Sequence, residues 1–160
     1  MKNLLISGFT GLILGIILMG AVIYNMAPSM MILVDESKYD FEQTTIELEK
    51  SIKENGWSMP AVHDLQKSMK KFGHDIKSVK VYELCHPTHA NKILQADDER
   101  SVASLMPCRV AIYEKNDGNT YISRMNSGLM AKTMGKLIND VMNDASAENE
   151  VILNAILKKK

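Results

Sequence analysis

Cysteine is scarce in this chain: Cys85 and Cys108 are its two copies in 160 residues. No cysteine precedes Cys85, which excludes a lipid-modified N-terminal cysteine of the bacterial lipoprotein kind, and no C-x-x-C-H run exists to attach c-type haem. Net charge is missing too, with 19 basic residues against 19 acidic ones, so the electrostatic footprint of a nucleic-acid binder is lacking. The sequence carries no Ser/His/Asp order of a hydrolase, no phosphate-binding glycine loop and no H-E-x-x-H helix. Enzymatic readings therefore start low. Neither an internal repeat nor a low-complexity stretch occurs, which leaves roughly one ordinary domain of about 100 to 200 residues.

Charge is also absent locally. Before Asp35 the only charged side chain is Lys2, and Leu4 to Tyr24 is mostly Leu, Ile, Val, Met and Gly, about the 20 residues an α-helix needs to cross a hydrocarbon core. A cleaved signal peptide competes, because Ala27 and Ser29 stand at small-x-small spacing, but its apolar region usually runs about 7 to 15 residues. The length favours a retained anchor over residues 1–27 followed by a single domain over residues 28–160. Lys2 precedes the apolar run and the next basic residue is Lys38, an asymmetry that places the N-terminus in the cytoplasm and the domain on the outer face. In a bacterium that means a single-pass protein of the inner membrane with a periplasmic domain, or, with cleavage, a secreted periplasmic one. Ser7, Gly11 and Gly15 recur every four residues, the small-xxx-small pattern that lets two membrane helices approach, so beside the contact with lipid two readings stand: a homodimer through this face, or the glycine content common in any membrane helix. The Lys158 to Lys160 tail either touches acidic headgroups or is simply solvated.

Beyond the anchor, Met30 to Val34 has the length of a first strand. Asp40 caps a helix with Gln43 three residues on, and Phe41, Thr45, Leu48 and Ile52 share its inner face before Gly56. Trp57, Met59 and Ala61 alternate as a strand around Pro60, and Val62, Leu65, Met69 and Phe72 follow at helical spacing up to Gly73. Ile76 to Leu84 reads as a strand stopped by Pro87; Thr88 caps a short helix, and a helical turn spans Asp98 to Leu105. Arg109 to Lys115 and Thr120 to Asn126 form a hairpin around Asp117-Gly118. A last helix starts near Gly128, with Met130, Met134, Leu137, Ile138, Val141, Met142 and Ala145 on one stripe that covers the sheet.

The runs ELCHP from Glu83, MPCRVAIYE from Met106 and SRMNSGLMAK from Ser123, with Gly56-Trp57, resemble the membrane-anchored branch of the domain of unknown function family numbered 302. The similarity spans about residues 30 to 152. It implies an α+β domain, an antiparallel sheet backed by helices of the TATA-binding-protein-like class, with no established activity. Such a likeness carries no DNA-binding implication, because function lives in the site and not the scaffold. The family pattern reads CNP where this chain has Cys85-His86-Pro87, so His86 carries no family role.

One constellation offers chemistry. Cys85 ends one predicted strand and Cys108 begins another, so antiparallel pairing brings both sulfurs toward one sheet end. Three readings compete. The pair forms a disulfide closing a loop of about 24 residues, worth roughly 3 kcal/mol. Alternatively Cys85, His86, His89, Met106 and Cys108 supply soft ligands for copper, zinc or an axial haem position, or a thiol activated near a helix start. In the third reading the cysteines only pack. Trp57 and Tyr82 are candidates for lining an apolar ligand groove. Glu83 and Glu114 are expected to make cross-strand ion pairs with Arg109 or Arg124. His63 and His74 read as surface residues. The sequence names no cofactor. The leading expectation is a non-enzymatic, membrane-tethered outer-face domain that binds a partner or small ligand, and the alternative is a thiol-redox or soft-metal protein using Cys85 and Cys108.

Overall fold

The computed structural model describes residues 2–158, with side chains from Gly11 onward. Ser7's side chain, Lys159 and Lys160, which entered the expectations above, lie outside the described residues. The chain forms two units, Met1–Met31 and Ile32–Lys160. The first is a single helix, α1 (Lys2–Met31), of which Gly11–Met31 is long and apolar enough to cross a bilayer. It continues through Pro28, which removes one helical hydrogen bond close to the end without stopping the helix. The division therefore falls at 31/32 instead of 27/28, and Met30 and Met31 are helical, not the start of a strand. Gly11 and Gly15 leave open space where a Cβ would stand.

The second unit is α+β. Its sheet has the order β1-β5-β4-β3-β2, all neighbours antiparallel, from β1 (Ile32–Glu36), β2 (Val62–Asp64), β3 (Val79–Leu84), β4 (Cys108–Glu114) and β5 (Thr120–Met125). Strand alternation puts Tyr82, Leu84, Val110, Ile112 and Ile122 on one face. There they join a core with Leu48 and Ile52 of α2 (Phe41–Glu54) and Ala145, Ile152 and Leu153 of α6 (Lys136–Leu153). Asp40 caps α2 as its sequence implies, accepting from the Gln43 N–H at 2.8 Å. At the hairpin tip Gly118 has φ +81°, the left-handed backbone that the turn requires and glycine supplies at least cost.

Three elements differ from the sequence expectation. Trp57 to Ala61 contribute only isolated backbone contacts, Ser58 with Cys85 and Ala61 with Glu83, and β2 begins after them; Pro60, which has no N–H to donate, displaces the strand. The helix at 65–70, α3, follows directly, capped by Asp64 through the Lys67 N–H. In α4 (Pro87–Leu94) the N-cap position is His86, not Thr88, because Pro87 has the fixed φ suited to the first helical turn; Glu99–Leu105 is a 3-10 helix. The final stripe is broken into α5 (Ser127–Met130), a 3-10 turn and α6. At the break Gly135 has φ +90° and ψ 164°, a conformation essentially confined to glycine.

Candidate functional site

Antiparallel order collects the start of β1, the end of β5, the start of β4 and the end of β3 at one end of the sheet. Two neighbouring cavities lie there, and Met106, Pro107, Cys108 and Met142 line both. The larger has a volume of about 160 Å³. Five methionines line it, Met106, Met125, Met130, Met134 and Met142, with Ile138 behind them. Met130, Met134 and Met142 are among the residues that helical periodicity assigns to the core stripe, while Met125 ends β5 and Met106 precedes β4. Ile138, Val141 and Ala145 do pack as core, while the thioethers surround a space they do not fill. Flexible, polarisable Met side chains suit a pocket that adapts to its occupant.

Among the polar residues that meet this cavity, Arg124 and Asn149 are the most informative. Arg124 is almost fully buried and is held from both sides: Nε and Nη2 each donate to Glu150 at 2.7 Å, and Nη1 donates to Asp35 at 2.8 Å. Burial works against its charge, but the two carboxylates outweigh it and raise its pKa further. Neither carboxylate is the Glu83 or Glu114 expected for it; both come from elements distant in sequence. Asn149, which also lines the cavity, is nine-tenths buried and its Oδ1 has no hydrogen-bond partner. A buried carbonyl in that state calls for a donor, since leaving it unpaired costs about 1 to 3 kcal/mol.

The smaller cavity, about 30 Å³, gathers Cys85, His86, His89, Met106 and Cys108 with Trp57, so all five candidate soft-ligand residues do meet. Their geometry is that of a ring cluster: His86 and His89 have centroids 4.7 Å apart, and Trp57 lies 5.5 Å from the first and 6.1 Å from the second. Glu148 of α6 ties this cluster down. It accepts from Trp57 Nε1 at 3.0 Å and pairs with His89 Nε2 at 3.0 Å. Partial burial pushes the Glu148 carboxyl up, yet the hydrogen bonds from His89 and Trp57 prevail and hold it below the usual carboxylate range. Nδ1 of His86 and of His89 are buried without partners.

The disulfide expectation is corrected: both cysteines are free. Cys108 stands opposite Leu84 in the β3–β4 register, and Cys85, one residue on, has its backbone paired with Ser58, so the two cysteines are not a directly opposed pair. Burial, with the neighbouring Cys85 second, pushes the Cys108 thiol up, opposite to the activation a reactive thiolate needs. Among the described residues no group of three or more His, Cys, Asp or Glu side chains is placed to hold a metal ion. Tyr82 does not line a groove. It is fully buried in the core, its hydroxyl 3.4 Å from Glu49, and its pKa is raised by burial and then by that carboxylate. Glu83 does pair across the strands with Arg109 at 3.3 Å, and also with His63 at 3.1 Å, a partner sequence spacing did not suggest.

A family model described as domain of unknown function DUF302 matches residues 34–158. Among solved structures the chain is similar to an uncharacterised conserved DUF302 protein from Bacillus stearothermophilus, with a TM-score of 0.70 at 20% identity over 79% of this chain and 98% of that one. No curated protein matches the chain.

Proposed function

The chain belongs to the DUF302 family, a premise that names a fold and no activity, and we propose that this member is a membrane-tethered, non-enzymatic outer-face domain binding a small, mainly apolar molecule in its methionine-lined cavity. The observation that carries the proposal is the cavity itself: about 160 Å³, walled by five thioethers, with Asn149, whose buried Oδ1 is unpaired, among its lining residues. An apolar cavity of about 150 Å³ is enough to take up benzene, so the occupant is a ring-sized group, and the carbonyl selects one that carries an O–H or N–H. Tethering rests on α1, whose composition and charge asymmetry fit a retained anchor; the domain's outer-face position follows from the same asymmetry, and association through Gly11 and Gly15 would make the protein a homodimer.

Phenol has both the size and the donor. With the full chain in lipid nanodiscs and its methionines labelled at the methyl carbon, phenol should shift the resonances of Met130, Met134 and Met142. Asn149→Leu should remove that response while the emission of Trp57 stays native. A titration that moves none of these methyls refutes the proposal. The soft-ligand alternative has one observation in its favour, the shared smaller cavity. Uptake of Cu(I) that is unchanged in both Cys85→Ser and Cys108→Ser would remove it.

A further inference from the structure

We infer that the cavity draws its occupant from the bilayer, and that the occupant is an apolar, membrane-partitioned molecule with a hydrogen-bond donor at one end. The inference rests on the proposed function above and adds the source and chemical class of the ligand. Its starting point is the junction of the two units: α1 ends at Met31 and β1 starts at Ile32, with no linker between them. Ile32 pairs directly with Met125 in the β1–β5 register, and Met125 lines the cavity. The sheet end at which the chain arrives from α1 is thus the cavity's own end. The opposite end carries Glu36, Glu114, Thr120 and the Asp117-Gly118 turn.

The rim has the character the inference needs. Leu105 and Met125 line the cavity and are 41% and 39% exposed, and the adjoining Ile32 is 48% exposed. Three large apolar side chains around an opening are costly in water and comfortable against acyl chains. Arg109, also in the lining, is mostly exposed and reaches Glu83, which suits the charged interface of a membrane. The unpaired acceptor belongs to Asn149 of α6, which is buried where Leu105 and Met125 are exposed. A ligand entering polar end first satisfies it and leaves its tail along Leu105, Met125 and Ile32. A cavity of about 160 Å³ holds a ring and not a long chain, so the tail stays outside and remains in contact with lipid.

The test uses the full chain in nanodiscs and two probes, phenol from the aqueous phase and 4-octylphenol from the bilayer, read by the Met130, Met134 and Met142 methyls. Ile32→Glu puts a charge on the rim without touching the cavity wall; Val34→Glu, on the same strand and equally exposed, is the control. In the wild type both probes should shift the methyls. Ile32→Glu should weaken the apparent affinity for octylphenol about tenfold and leave phenol within about twofold, and Val34→Glu should alter neither. Equal octylphenol binding by Ile32→Glu and wild type overturns the inference, as does a wild type that binds phenol and not octylphenol, or a Val34→Glu effect as large as that of Ile32→Glu. A wild type that responds to neither probe refutes the proposed function itself. Should Ile32→Glu lose native Trp57 emission, Ile32→Ser takes its place with the same reading.

Discussion

Replacing Arg124 by methionine is expected to unlock the domain from one point. The guanidinium is 8% exposed, and its three hydrogen bonds of 2.7–2.8 Å join β5 to Asp35 on the edge strand and to Glu150 on α6. Removing one partner of a fully buried ion pair costs about 3 to 5 kcal/mol, because the remaining charge is stranded. Here the carboxylates are 24% and 40% exposed, so each recovers part of its hydration. Assigning about 2 kcal/mol to the more buried Asp35 and about 1 kcal/mol to Glu150 gives a loss of about 3 kcal/mol. For a domain of this size about 4 °C accompanies each kcal/mol, so Tm should fall by about 12 °C. Trp57 is the single tryptophan and is buried in the second unit, so its emission during urea or thermal unfolding reports that unit without interference from α1. Arg124→Lys should recover part of the loss, since an ammonium cannot reproduce the two-pronged contact with Glu150. Lys136→Met, which breaks an exposed pair with Asp140, should leave the midpoint unchanged. If Arg124→Met lowered stability by less than about 1 kcal/mol, the buried pair would be no better than a surface one, and the reasoning would fail.

Two further outcomes follow from the smaller cavity. Glu148 has its carboxyl pKa held below the usual range, so its pairing contributes stability above the unfolded value of about 4.3 and loses it as pH falls through the lower folded value; urea midpoints from about pH 6 to 3 should therefore drop less steeply for Glu148→Gln than for the wild type, and equal slopes would show that Trp57 and His89 do not depend on that charge. Mass spectrometry after alkylation under denaturing conditions without reductant should find both Cys85 and Cys108 modified, and in the native state Cys108 should react with a pH midpoint above that of an ordinary thiol because burial disfavours its thiolate; a bridged pair would contradict the free thiols of the structure.

Much of the fold is legible where the deciding interaction is local. Asp40 and Gln43 announce α2 because a cap is made within one turn, and Asp117-Gly118 announces the β4–β5 hairpin because the turn depends on its own backbone angles. The start of α4 at His86 is readable in principle from Pro87, yet Thr88 is the better capping residue and draws the assignment two residues too far. The break at Gly135 is hidden for a different reason: the apolar stripe runs on through it, so periodicity sees one helix where the backbone makes two. The meeting of Cys85 and Cys108 near one sheet end follows from strand order, but that Cys108 stands opposite Leu84 and not Cys85 is a matter of a single residue, finer than a pattern resolves. Arg124's partners, Glu148 and Asn149 are set by contacts between distant segments. Nothing in the local sequence sets Glu148, Asn149 and Glu150 apart from the other polar residues of α6. Nor does periodicity distinguish a methionine that fills space from one that borders it.

The placement of β1 has a consequence for how the chain assembles. Its first strand finds no partner nearby: Asp35 meets Arg124 across a separation of 89 residues, and Glu36 meets Lys158 across 122. Ser37 is bridged to Leu157, and its hydroxyl bonds Thr44 and the Ile156 carbonyl, closing the same edge. The segment that follows α1 therefore gains its ladder partner only once β5 has been made. The β3–β4 and β4–β5 ladders, linked over shorter stretches, carry less loop-closure entropy and form ahead of it. Completion of the sheet is then a late clasping of the two ends of the domain, and until it happens the edge of β5 is open to pairing with another unfinished chain.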